Sequence, residues 1–119
     1  MKRILVPLSG DDSHEAIVPL IGHLARQSGA TVRLLRVFPV PELIRQSPDF
    51  AGAPGRVAAY ADQQMAVLTS QGLDYLRAVE LQLDGITVEA VVRFGDPGQE
   101  TLIEAETFGA DLVAVATTS

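Results

Sequence analysis

Two periods alternate along the chain, one of strands and one of helices. Residues Arg3 to Leu8 (RILVPL) form a short, nearly continuous apolar run that stops at Gly10-Asp11-Asp12, the pattern of a strand buried on both faces. Ile17, Leu20, Ile21, Leu24 and Ala25 then recur at helical spacing, which predicts an amphipathic helix that ends at Gly29. At its start Asp12 and Glu15 stand at capping-box spacing, with Asp in place of Ser or Thr. Thr31 to Phe38 (TVRLLRVF), broken only by Arg33 and Arg36, predicts a second strand. A long helical pattern runs from Arg56 to Leu83, with Val57, Tyr60, Leu68, Leu76, Val79 and Leu83 turned inward and Gly72 as its weak point. Ile86 to Phe94 (ITVEAVVRF) is the third predicted strand. Gly95-Asp96-Pro97-Gly98 then opens another helix, with Asp96 as N-cap, Pro97 at N1 and Gln99 at N3, and that helix ends near Gly109. Asp111 to Thr117 (DLVAVAT) is the fourth strand.

The order β-α-β-α-β-α-β predicts an α/β fold: an open parallel sheet with right-handed crossovers and helices on both faces. In this order it resembles the Rossmann-like sheet of the adenine nucleotide alpha hydrolases. Residues 1–119 read as one domain by length. Between Pro39 and Gly55 lie four of the seven prolines, so this stretch reads as a loop. Ligands of such sheets sit beyond the carboxyl ends of the strands, where the strand order reverses. The loops after Leu8, Phe38, Phe94 and Thr117 are therefore where chemistry is sought.

Composition narrows the function classes. With 47% hydrophobic and 20% charged residues the chain is globular in character. It has no cysteine, which removes disulfides, thiol nucleophiles and zinc ribbons and predicts a reducing, cytoplasmic setting. The apolar run before Pro7 is too short for a signal-peptide core, and no stretch is long enough to span a membrane. The net charge is −6, and the second half of the chain is strongly acidic, so no nucleic-acid partner is expected. Carboxylates dispersed at helical spacing read as solvated helix faces.

Candidate chemistry is sparse. Ser9-Gly10-Asp11-Asp12-Ser13 places a glycine and small hydroxyls beside a helix start, a cradle for an anion or simply a tight turn with its cap. Neither of the phosphate-binding glycine motifs is present, and Lys2, the only lysine, lies at the wrong end of its strand. His14 and His23 have no ligand at metal-binding spacing and read as helix-surface residues, so no metal site is expected. No G-x-S-x-G elbow surrounds Ser9 or Ser13, and no catalytic residue is assigned. Met65 and Tyr75 read as ordinary packing residues.

Taken together, ILVPLSGDDSHEA, LLRVFPV and VRFGDPGQETLIEAETFGADLVAVATTS resemble a universal stress protein domain along nearly the whole chain. The resemblance implies a non-catalytic, dimerising module of stress adaptation that binds ATP or AMP. In nucleotide-binding members an Asp follows the V-P-[LV] strand, a Val in the second strand backs the adenine, and a G-x-x-G-x9-G-[ST] motif wraps the phosphates. Here the matching positions are Ser9, Val37, and Ala116 with Ser119 for the first two glycines. These departures imply that ATP or AMP binding is weakened or lost. Contacts from Pro7, Ser9, Val37, Ala116, Thr117 and Ser119 are expected if a ligand binds. The resemblance also implies that the chain stops before that fold's last helix and strand. The edge from Leu112 to Ala116 is then expected to pair in a homo-oligomer. The competing reading is an adenine-nucleotide pyrophosphatase, whose first loop, S-G-G-x-D-S, is one residue longer than Ser9 to Ser13.

Overall fold

A computed structural model describes residues 1–12, 14–40 and 54–116. Its elements are β1 (Arg3–Pro7), α1 (His14–Ser28), β2 (Thr31–Phe38), α2 (Pro54–Glu80), β3 (Val88–Phe94), α3 (Pro97–Phe108) and β4 (Leu112–Val113). All pairings are parallel, and the sheet order is β3-β2-β1-β4. The first two crossovers therefore step in one direction from β1, and the third returns across the sheet to its other side. Right-handed connections then place α1 and α2 on one face and α3 on the opposite one.

Strand alternation feeds both layers, since successive side chains point to opposite faces. Ile4, Val6, Val32 and Leu34 are buried in one cluster with Val18, Ile21, Leu76 and Val79 from α1 and α2. Leu5, Leu35 and Val37 meet Phe108 of α3 on the other side. The starts of β1 and β4 are tied by Asp111, whose carboxylate accepts from the backbone N–H of Lys2 (2.7 Å) and Arg3 (2.9 Å). These two donors hold the Asp111 carboxyl below its ordinary range.

Several expectations change in the folded chain. In α1 the buried line is Val18, Ile21, Gly22 and Ala25, while Leu20 is 57% exposed. At the helical advance Leu20 stands about 140° from the middle of that line. Gly22 and Ala25 share the buried side with Val18 and Ile21, and a Cβ on Gly22 would be in ordinary contact with Leu83 at 3.5 Å. Tyr60 is 54% exposed, not turned inward. Gly72 is no weak point: a Cβ there would stand 2.9 Å from both Phe38 and Val92, so α2 packs against β2 and β3 through a bare backbone. β4 is two residues long, shorter than the run Asp111–Thr117 suggests, since its described pairing with β1 covers only Leu112 and Val113. The helix N-cap at Asp96 and the left-handed C-cap at Gly109 stand as expected. The pairing of Asp12 with Glu15, the Val57 side chain and most of the Pro39–Gly55 loop lie outside the described residues.

Arg33 and Arg93 do not interrupt their strands, because α3 brings a partner to them. Glu104 is 3% exposed and spans both: Arg33 Nη1 donates to one of its oxygens at 2.6 Å and Arg93 Nη1 to the other at 2.9 Å. Arg33 also holds Glu89 and lies 4.1 Å over the Phe108 ring. Removing one partner from a buried ion network leaves uncompensated charge, which costs more than the pairing itself is worth. Glu104→Ala is therefore expected to lower unfolding free energy by about 3 kcal/mol, since both arginines would lose their buried counter-charge. Glu104→Gln, which keeps the shape, should lose less. Urea unfolding followed by circular dichroism checks both, and an unchanged midpoint for Glu104→Ala would refute the anchoring role.

Candidate functional site

The carboxyl ends of β1, β2 and β4 and the first turns of α3 enclose a cleft of about 410 Å³. It sits where the strand order reverses, between β1 and β4. β1 contributes Pro7 and then Leu8 and Ser9; β2 contributes Leu35, Arg36 and Val37. Val115 and Ala116 follow β4 on the third side. Of the residues expected at a ligand, Pro7, Ser9, Val37 and Ala116 thus come together, while Thr117 and Ser119 lie outside the described residues.

For the fourth wall the sequence reading named the loop after Phe94 as a place for chemistry but assigned none of its residues, nor the helix that follows, to a ligand. Pro97, Gly98, Thr101 and Leu102 of α3 line the cleft, because α3 returns over the face that carries Leu35 and Val37. The available signal was the Gly95-Asp96-Pro97-Gly98 helix start, read as a cap and not as a wall. The Asp96 carboxylate accepts from the Gln99 backbone N–H at 2.9 Å, and its Oδ2 stands 3.4 Å from where a Cβ on Gly98 would be. Thr101 Oγ1 donates to the Pro97 carbonyl at 2.6 Å, so this hydroxyl is turned back into its own helix.

Arg36 is the one basic residue of the lining, yet its guanidinium is engaged elsewhere. Nη1 donates to the Val37 carbonyl at 2.8 Å, and the group lies 4.2 Å over the Phe38 ring. By strand alternation it belongs to the face of Phe38, opposite to Leu35 and Val37. Gly10, at φ +87, makes room for it: a Cβ would stand 3.1 Å from Arg36 Nε.

Behind this loop His14 and Tyr75 form a second polar group, where the sequence suggested a surface histidine and a packing tyrosine. His14 Nδ1 is 2.8 Å from the Asp11 carbonyl and 3.2 Å from the Tyr75 hydroxyl, which also donates to that carbonyl at 3.3 Å. The rings meet edge to face at 5.7 Å. Burial pushes the Tyr75 phenol above its ordinary value; the Asp11 carboxylate adds to the rise, and Arg36 opposes it. This arrangement pins the loop to α2. His23, by contrast, is exposed on α1.

Among the described residues no cluster of three metal-ligating side chains occurs, and no helix is long and apolar enough to cross a membrane. A family model for the universal stress protein family matches residues 1–119. Among solved structures, hypothetical protein MJ0577 is 20% identical with a TM-score of 0.71, over 94% of this chain and 71% of that one. Universal stress protein UspA from Lactobacillus plantarum is 17% identical with a TM-score of 0.65, over 99% and 79%. A universal stress protein in complex with cAMP is 21% identical with a TM-score of 0.54, over 94% and 73%. At these identities the structures speak for the fold. No match was found among curated proteins.

The capping geometry at the cleft wall carries its own test. Asp96→Ala leaves the Gln99 N–H without its side-chain acceptor and is expected to cost about 1 kcal/mol, whereas Asp96→Asn, itself a good N-cap, should cost little. Urea midpoints of the two variants measure the difference; equal losses would show that the cap contributes nothing.

Proposed function

The chain belongs to the universal stress protein family, and on that footing we propose that it is a non-catalytic, cytoplasmic stress-response module that binds a purine compound in the cleft. Its affinity for ATP and AMP is reduced relative to members that carry Asp where this chain has Ser9 and Gly where it has Ala116 and Ser119. The observation that carries this reading is the convergence of Pro7, Ser9, Val37 and Ala116 on one apolar cleft at the strand reversal. Clefts of a few hundred Å³ with apolar walls and few polar groups are the usual form of a small-molecule site. The cAMP complex of a structural neighbour supports the purine class. The non-catalytic reading rests on the lining, whose hydroxyls come from Ser9 and Thr101 and which contains no carboxylate or imidazole within the described residues.

Isothermal titration with ATP and AMP, each with and without magnesium, tests the binding. Weak heats for one site per chain, abolished by Val37→Glu in the cleft floor, are expected. An unchanged melting temperature in millimolar ligand together with no heat would sink the reading. Hydrolysis of ATP during the titration would favour the pyrophosphatase alternative.

We further propose that the edge of β4 pairs with a second copy of the chain. Among the described residues β4 is bonded to β1 alone, and Val113 and Val115 are 38% and 59% exposed. An open apolar edge of this kind is a template for another strand. Light scattering at micromolar concentration is expected to give a dimer or larger species; a monomer would overturn the proposal.

A further inference from the structure

Ser9 enters the cleft from the turn that follows β1. The chain keeps its hold on β2 as far as Leu8, whose N–H donates to the Leu35 carbonyl at 2.8 Å, and Ser9 to Asp12 then stand exposed. Behind them the Asp11 carbonyl meets His14 Nδ1 at 2.8 Å and accepts from the Tyr75 hydroxyl at 3.3 Å. At that distance from a carbonyl oxygen Nδ1 carries its proton, and the two lone pairs of the oxygen accommodate both donors. Burial holds the Tyr75 phenol above its ordinary value, so it remains a donor at neutral pH. The Tyr75 ring packs with the cluster of α1 and α2, on the face of the sheet opposite to Leu35 and Val37. Between Ser9 and the held carbonyl lies Gly10, at φ +87, where a Cβ would stand 3.1 Å from Arg36 Nε. The Arg36 guanidinium beneath it is itself fixed by the Val37 carbonyl and the Phe38 ring. Packing alone would be served by a bare ring at position 75; the hydroxyl adds a tie to the turn.

We infer that Tyr75 is a positioning residue for the cleft: with His14 it holds the Asp11 carbonyl and so sets where Ser9 stands, although neither side chain lines the cleft. This rests on the purine reading above for its ligand and deepens it by naming what places the Ser9 hydroxyl. A lining group misplaced by about 1 Å loses much of a site's efficacy, so a residue that locks it counts without touching anything bound.

Calorimetric titration of AMP into the full chain tests the inference in the parent, Tyr75→Phe, Ser9→Ala and the double variant, beside urea midpoints and backbone NMR order parameters. In Tyr75→Phe, which keeps the ring, AMP affinity is expected to fall severalfold, with the midpoint near the parent's and order lost only from Ser9 to Asp12. His14→Ala, which removes the other donor, should act in the same direction. In a Ser9→Ala background Tyr75→Phe should cost little further, because the group it positions is gone. Unchanged affinity in Tyr75→Phe would overturn the inference, as would the full loss from each substitution appearing in the double variant. A lower midpoint with order lost across the core would make Tyr75 a packing residue only and overturn it as well. If the parent binds no AMP, the purine reading falls, and the order parameters still decide the positioning: a loss confined to Ser9 to Asp12 upholds it, and no loss refutes it.

Discussion

The double ion pair of Glu104 is the contact on which the geometry of the site depends. A carboxylate almost closed to solvent grips one arginine from β2 and one from β3, two strands that are neighbours in the sheet. Such a contact is weak evidence for stability, because desolvating three charged groups offsets much of their attraction. What it does supply is a unique seating for α3. Thr101, Glu104, Ala105 and Phe108 recur at helical spacing, so fixing Glu104 on the arginines fixes the roll of the whole helix. Phe108 then lands under Arg33, and Pro97, Gly98 and Leu102 arrive at the cleft. An apolar residue at position 104 would have left the two strand arginines only their flanking carboxylates, Glu89 for Arg33 and Glu100 for Arg93.

The opposite face obeys a different constraint, one of closeness. Gly72 lets α2 approach Phe38 and Val92, which any Cβ would meet at 2.9 Å, and the buried line of α1 combines Val18 and Ile21 with the small residues Gly22 and Ala25. One face of the sheet is thus set by steric contact and the other by charge. The reversal of strand order between β1 and β4 leaves a gap at their carboxyl ends because the helices on either side diverge to opposite faces. The cleft is a consequence of that topology, and only its lining is a matter of side-chain choice.

How far the chain could be read in advance follows from the same division. β2 and the two caps of α3, Asp96 and Gly109, were legible because they are local: a period of apolar residues, an N-cap before proline, a glycine after the last turn. That Pro7, Ser9, Val37 and Ala116 would line one cleft was legible because they stand at or just beyond strand ends, which a parallel sheet brings together. The wall from α3 was not, since its approach to β1 and β2 depends on which face the third crossover takes. Nor were the partners of Arg33 and Arg93, which are separated from Glu104 by 71 and 11 residues. A single sequence shows an arginine in a strand; it does not show the carboxylate that will be laid over it. Leu20 and Tyr60 illustrate the converse error, in which apolar character was taken for burial although a folded surface is itself largely apolar.

Asp96 joins these levels at one residue. The start of a helix has donors without partners, and they can be satisfied by a side chain or by a bound anion, but one donor cannot serve both well. In this chain Asp96 takes the Gln99 N–H, which stabilises the first turn of α3 and with it the wall that Pro97 and Gly98 form. The same carboxylate puts a negative charge at the positive end of α3, where the helix field favours it. Arg36 is likewise engaged locally: its guanidinium donates to the Val37 carbonyl and packs on the Phe38 ring, both in its own strand. Both groups are thus committed to hydrogen bonds within the elements that frame the cleft.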